Sequence, residues 1–261
     1  MTQASAVAWL ARGGGLAAAI AALELLWVRR ALADDGVFGW PVLRSELAGA
    51  PSWLRALADR VLSYRGVVVV LGIQLACAIA LPWLAHPALP WLVFACSLVV
   101  SLRFRGSYNG GSDAMLLIVM LALGVARSAP ESALAAAGLA YAAAQLALSY
   151  FISGIAKLPD GAWRSGYALP VLVRLPQYRA PAWAVAGLSR PRTARLAAWA
   201  MLGFECLFPL VFAHPWVCIG FVVCGAVFHL MTAIVFGLDR FLWTWLAAYP
   251  ALLYWVDRLS G

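Results

Sequence analysis

The sequence of 261 residues is 64% hydrophobic and 11% charged, whereas soluble domains carry about a quarter of their residues as charges. No soluble core of this length can hide so much apolar surface, and the 13 Trp favour a membrane interface. The net charge of +8 does not indicate nucleic-acid binding, because the basic residues are spread through loops and form no dense patch. The five Cys lie in apolar runs without C-x-x-C spacing, which predicts small buried side chains and no metal site.

Apolar runs near the ~20 residues that a spanning helix needs recur along the whole chain. They predict an all-α fold, a polytopic bundle of about eight transmembrane helices that forms a single domain over residues 1–261, with no separate soluble domain. The expected spans are 16–28, 66–85, 89–102, 114–126, 132–157, 196–213, 216–236 and 241–256.

Two polar stretches interrupt these runs. The stretch 53–64 places its leucines at helical spacing opposite Arg55, Asp59 and Arg60, which is the pattern of an amphipathic helix at the membrane interface. The stretch 159–195 carries five Pro and is expected to lie along the same interface.

The distribution of Lys and Arg predicts an orientation. Most of the basic residues lie in the loops that follow the first, third, fifth and seventh predicted spans. By the positive-inside rule these loops are cytoplasmic and both termini lie outside. We expect a multi-pass protein of the plasma (inner) membrane.

Four ionisable side chains lie in or beside the predicted spans: Glu24, Lys157, Glu205 and His229. Charges at membrane depth are costly, so such groups usually face the interior of the bundle and pair there. Each also has a simpler interpretation. Glu24 lies near the interface, Glu205 is a structural carboxyl, and His229 is a packing residue.

Lys157 is the most informative of the four, because it is the only Lys beside 18 Arg. Burial can turn a lysine into a base, which an arginine cannot become. The alternative is a lysine at a helix end that snorkels to the interface. We predict that Lys157, Glu205 and His229 converge from three helices in one cavity and carry whatever chemistry the protein performs.

The segment 109–113, Asn-Gly-Gly-Ser-Asp, precedes the fourth predicted span, and its Ser112 or Asp113 can cap that helix. The two glycines allow a sharp turn and a close approach to other groups. We therefore expect this loop to close the mouth of the bundle on the membrane face of Lys157. Its Asn109 and Asp113 are candidate cofactor-binding residues.

Three blocks of the sequence share an order and a spacing with a known family. The first comprises Tyr150, Phe151, Ile152, Ser153, Gly154, Ile155, Ala156, Lys157 and Leu158, followed by Trp163, Gly166 and Tyr167. The second comprises Phe228, His229, Leu230 and Met231, followed by Phe236, Phe241 and Trp243. The third is 109–113. Together they resemble the HTTM superfamily, the membrane domain shared with vitamin K-dependent gamma-glutamyl carboxylase.

The resemblance implies an enzyme. In the carboxylase a membrane-embedded lysine helps to deprotonate reduced vitamin K, and Lys157 matches the position of that lysine. His229 matches a histidine of the family's later motif, and a reduced quinone is the implied cofactor. Two departures bear on this expectation. Gly111 stands where the carboxylase has an active-site histidine, and no counterpart of its large extramembrane domain follows the last span. Carboxylation of protein glutamate is therefore not expected of this chain alone.

Two functions from different classes stay open on the sequence. The first is a carboxylase-like enzyme, with lyase or oxidoreductase chemistry, that acts on a quinol or another lipid-soluble substrate with Lys157 as base. The second is a non-enzymatic membrane partner in the maturation, export or immunity of a secreted peptide. Partners beyond the lipid bilayer are then a peptide or protein substrate or a separate soluble protein. The family's active face is exoplasmic, whereas the charge rule places the face of Lys157 in the cytoplasm.

Overall fold

The computed structural model describes residues 1–104 and 110–260, and every regular element in that part of the chain is helical. The prediction of an all-α fold is confirmed. The contacts within the chain divide it into two compact units. One unit is Val7–Gly138, and the other combines Met1–Ala6 with Leu139–Gly261.

The unit Val7–Gly138 contains most of α1 (Gln3–Trp27) and five further α-helices within its described residues. These are α2 (Trp40–Arg44), α3 (Ser52–Val61), α4 (Tyr64–Ala80), α5 (Ala88–Arg103) and α6 (Gly110–Ser128). Short 3-10 helices occupy Arg29–Leu32 and Ser45–Leu47 in the polar stretch between α1 and α3.

The second unit contains most of α7 (Ala133–Lys157) and six further α-helices within its described residues. These are α8 (Gly161–Ser165), α9 (Ala168–Leu172), α10 (Ala182–Leu188), α11 (Pro191–Leu207), α12 (Pro215–Phe236) and α13 (Asp239–Ser260). A 3-10 helix, Phe208–Phe212, extends α11.

Five helices in the described residues are long and apolar enough to cross a membrane, which makes this a multi-pass membrane protein. They are Gln3–Trp27, Gly111–Ser128, Ala133–Lys157, Pro191–Phe212 and Pro215–Phe236. The pair α3 and α4 meets the same criteria when taken together, although it bends by 62°, so that the described residues offer five candidate spans, or six if this pair is one span.

The predicted count of eight spans is not confirmed, although each predicted span falls on a helix. α5 has only 16 residues and is too short at 1.5 Å per residue for a core of about 30 Å. α13 is not among the five, and it carries three Trp, two Tyr and the internal Pro250 between charged ends.

α3 is the amphipathic helix that the sequence predicted. It carries three charges in ten residues and meets α4 at a bend of 62°. Ser63 caps α4 by accepting a hydrogen bond from the Gly66 amide at 3.3 Å. A Cβ added to Gly66 would lie 2.3 Å from the Arg60 carbonyl oxygen, so the bend requires a glycine there.

Two glycines bring helices of the second unit close together. A Cβ on Gly154 of α7 would lie 2.8 Å from the backbone nitrogen of Cys206 on α11. A Cβ on Gly225 of α12 would lie 2.3 Å from the hydroxyl of Tyr249 on α13. Small residues permit such approaches between membrane helices. The polar side chains next to these glycines can therefore reach one another across the helix contacts.

Candidate active site

Lys157 lies at the carboxyl end of α7 and is bound by groups on two helices. Its Nζ donates hydrogen bonds to Glu205 Oε1 at 2.7 Å and Glu205 Oε2 at 2.8 Å. It also donates to Ser153 Oγ at 2.5 Å, and that hydroxyl donates to Glu205 Oε1 at 3.2 Å. Ser153 and Lys157 are four residues apart, which puts them on one face of α7. We call Ser153, Lys157 and Glu205 the ion-pair cluster.

The two charges of this cluster differ in their exposure. The Glu205 side chain is 4% exposed, whereas that of Lys157 is 22% exposed. A carboxylate buried to this degree is tolerated only with a partner of opposite charge, because desolvation of a lone ion costs several kcal/mol. The close approach at Gly154 makes the pairing geometrically feasible, since it lies between Ser153 and Lys157 on α7.

A second polar group forms around the histidine of α12. His229 Nε2 lies 2.7 Å from the Tyr150 hydroxyl oxygen, and that oxygen lies 2.7 Å from the Tyr249 hydroxyl oxygen. All three side chains are buried, and the Tyr150 ring stacks on Phe208 with centroids 4.0 Å apart. We call Tyr150, His229 and Tyr249 the hydroxyl–imidazole cluster.

Gly225 makes room for this cluster. It precedes His229 by four residues on α12 and therefore lies on the same helix face. An added Cβ would lie 2.3 Å from the Tyr249 hydroxyl and 3.1 Å from the Tyr150 hydroxyl. The position needs a residue without a side chain, because the hydroxyl pair occupies the space that a side chain would fill.

Both clusters contribute to the wall of one cavity of about 300 Å³. This volume lies at the lower end of the range for small-molecule sites, and a mostly apolar wall with few polar groups is typical of them. Besides the ion-pair cluster, Tyr150 and His229, the wall is lined by Ser149, Trp163, Leu169, Leu172, Tyr178, Met201, Phe228, Thr232, Phe236, Leu238, Phe241 and Trp245.

A larger apolar cavity of about 670 Å³ lies between residues of α10, α11 and α12. It shares wall residues with the first cavity, which makes the two cavities neighbours. The shared residues are Leu169, Met201, Phe228, Thr232 and Phe236.

The structure brings together the three residues predicted to converge. Lys157, Glu205 and His229 come from α7, α11 and α12 and line the same cavity. Lys157 and Glu205 form an ion pair. His229 is not bonded to either of them, and its hydrogen-bond partner in the described residues is Tyr150.

The other candidates lie elsewhere. Asp113 falls in the first turn of α6 and not in a preceding loop, because the helix already begins at Gly110. Asn109 lies outside the described residues. Glu24 is half-buried on α1 and does not line the cavity.

Sequence reasoning missed four contributors: Tyr150, Ser153, Trp245 and Tyr249. A pattern in α7 could have identified the first two. Tyr150 and Ser153 precede Lys157 by seven and four residues and share its helix face. Nothing in the local sequence distinguishes Tyr249 or Trp245 from the other aromatic residues of α13.

Comparison with known proteins gave no match to a protein-family model, to a curated protein or to a solved structure. The resemblance to the HTTM superfamily therefore stays a prediction made from the sequence blocks.

Proposed function

We propose that this protein is an HTTM-type enzyme of the plasma membrane that acts on a quinol or another lipid-soluble substrate, with Lys157 as its base. The observation that carries the proposal is the position of the ion-pair cluster. A lysine, a buried carboxylate and a hydroxyl meet at the wall of a mostly apolar cavity in a membrane protein. Ionisable groups buried in a membrane protein are expensive and are usually retained for function.

The pairing with Glu205 is compatible with a basic Lys157. The ion pair has no net charge, so a proton that moves from Nζ to Glu205 leaves a neutral amine beside a neutral acid. That amine can accept a proton from a hydroxyl group presented in the cavity, and its ammonium form then lies beside the new anion. The total charge of the cavity is unchanged throughout, which matters where the surroundings solvate charge poorly.

The cavity fits an aromatic ring with oxygen substituents. Trp163, Phe241 and Trp245 provide ring surfaces, and the two polar clusters provide hydrogen-bonding groups on the same wall. A bound quinol would supply an acidic hydroxyl and two reducing equivalents. The neighbouring cavity of about 670 Å³ has room for an apolar substituent of such a compound.

The test is to identify what the protein retains from its own membrane. We expect the protein purified in mild detergent to carry a quinone, detected by mass spectrometry, at a higher ratio than an unrelated multi-pass protein prepared alongside. Lys157→Ala and Lys157→Arg are expected to lower turnover of the reduced compound by about 10²- to 10⁴-fold, the usual contribution of a general base. A lipid content equal to that of the unrelated protein would reject the proposal.

One observation favours the non-enzymatic alternative. The Lys157–Glu205 pair also connects α7 to α11, so the lysine could serve only to hold the two helices together. Arginine pairs with a carboxylate through two hydrogen bonds but does not give up its proton. If Lys157→Arg keeps the full biological phenotype while Lys157→Ala loses it, the lysine is structural and a role as partner of a secreted peptide is favoured.

A further inference from the structure

Two buried nitrogen atoms, which belong to residues of the cavity wall, have no hydrogen-bond partner among the described residues. They are His229 Nδ1 and Trp245 Nε1. Their side chains are 4% and 6% exposed, and their ring centroids lie 5.0 Å apart. A buried polar atom left unpaired in this way destabilises the folded state. Two such atoms on adjacent rings of one cavity therefore point to a ligand that pairs with both.

The hydroxyl–imidazole cluster determines how His229 meets that ligand. Nε2 is engaged by the Tyr150 hydroxyl, so Nδ1 is the ring atom left for another partner. Tyr150 has one hydroxyl proton and two neighbours, His229 and Tyr249. When Tyr150 donates to Nε2, the imidazole proton lies on Nδ1, which is then a donor. When Tyr150 donates to Tyr249, Nε2 carries the proton and Nδ1 is an acceptor.

We propose that His229 Nδ1 and Trp245 Nε1 form a subsite for one oxygen on the aromatic ring of the ligand, either a carbonyl or a hydroxyl. The proposal rests on the function proposed above and specifies how the compound is held. The indole N–H only donates, so the ligand atom must be an acceptor. A carbonyl accepts from both nitrogens, whereas a hydroxyl accepts from Trp245 and donates to His229. The Tyr150 proton changes direction between the two cases, and the subsite therefore binds both forms.

The first test measures binding of two probes to the full chain in detergent. The probes are 2,3-dimethyl-1,4-naphthoquinone and 2,3-dimethylnaphthalene, which has the same rings without oxygen. Trp245→Phe keeps an aromatic ring and removes the N–H. We expect it to bind the quinone about threefold to tenfold more weakly, the worth of one hydrogen bond, and the hydrocarbon unchanged. Trp255→Phe on the same helix, outside the cavity wall, is the matched control.

The outcomes separate this subsite from the proposed function. If the unsubstituted protein binds the quinone and Trp245→Phe binds it equally well, the subsite is wrong and the proposed function is unaffected. An equal loss for both probes also rejects the subsite, because it indicates ring packing alone. If the unsubstituted protein binds neither probe, the proposed function fails and the subsite with it.

A second variant tests the direction of the Tyr150 proton. Tyr249→Phe removes the competing acceptor, so Tyr150 donates to His229 and Nδ1 stays a donor. Under anaerobic conditions we expect the reduced naphthoquinol to bind about threefold to tenfold more weakly and the quinone to bind as before. A purely structural role for Tyr249 would change both affinities together, and that result would overturn the proposed switch.

Discussion

Lys157 and Glu205 meet in the cavity as opposite charges, whereas His229, Tyr150 and Tyr249 meet through hydroxyl and imidazole groups without a carboxylate partner. In the ion-pair cluster, the Glu205 carboxylate accepts hydrogen bonds from both Ser153 and Lys157 of α7. The hydroxyl–imidazole cluster satisfies its hydroxyls in a chain but leaves Nδ1 of the histidine without a partner in the described residues.

This difference separates two tasks. A buried charge needs a counter-charge, so Lys157 and Glu205 satisfy each other without a ligand, and a proton that Lys157 passes to Glu205 can be replaced by one from a hydroxyl group in the cavity. The other cluster is open at one end and is suited to hold a ligand atom. We therefore expect loss of either ion-pair partner to affect stability most, and loss of a hydroxyl to affect ligand preference more than stability.

The largest expected effect follows from removing one charge of the pair. Lys157→Met leaves Glu205, 4% exposed, without its cation and should lower the free energy of unfolding by about 3 to 5 kcal/mol. Glu205→Gln should cost less, because the Lys157 side chain is 22% exposed and can turn towards solvent. Unfolding of the purified protein by added sodium dodecyl sulfate measures both.

The double variant Lys157→Met/Glu205→Gln provides the control for this prediction. It leaves no uncompensated charge, so its unfolding free energy should fall by less than the sum of the decreases in the two single variants. Strictly additive losses of unfolding free energy would show that the two side chains do not stabilise each other, which would contradict the prediction.

The next effect concerns the space beside the hydroxyl–imidazole cluster. Gly225→Ala places a methyl group where the Tyr249 hydroxyl lies, and we expect a loss of about 1 to 3 kcal/mol in unfolding free energy. Gly220→Ala on the same helix has open space around its Cβ and should stabilise α12 by about 0.5 to 1 kcal/mol. Equal behaviour of the two variants in the same unfolding measurement would mean that Tyr249 can move aside without cost.

The helices, and the convergence of Lys157 with Glu205, could be predicted from the sequence. Apolar runs identify membrane helices because the bilayer constrains their length and composition. The pairing of Lys157 with Glu205 was predictable, since charges in apolar runs must find a partner and few are available. The span count was less predictable, because α5 is short and α13 is rich in Trp and Tyr.

The hydroxyl–imidazole cluster could not be predicted from the sequence. Tyr150 and Tyr249 are two of 8 Tyr, Trp245 is one of 13 Trp, and Gly225 is one of 22 Gly. Their roles arise from a contact between α7, α12 and α13, and the helical period gives the face of each helix but not its neighbour. The position of Asp113 was missed for a local reason, because a helix can begin at glycine when later residues favour it.

The smallest expected effect on stability concerns an exposed ion pair, that of Arg44 with Asp59. Arg44 donates to both carboxylate oxygens of Asp59 on α3, at 2.6 and 2.9 Å, and Trp40 Nε1 donates to one of them at 2.9 Å. The hydrogen bond from Arg44, and then that from Trp40, lowers the pKa of Asp59 from 3.8 to about 2. A lowered pKa means that this stabilisation is fully present above about pH 4 and is lost as the pH falls through about 2.

Hydrogen–deuterium exchange of Ser52–Val61, compared at each pH with Asp59→Asn, should show protection that declines only between about pH 4 and about pH 2. Because the pair is exposed, added salt should weaken the protection, whereas the Lys157–Glu205 pair should resist it. If salt weakened both pairs equally, burial would not be what protects the Lys157–Glu205 pair from screening.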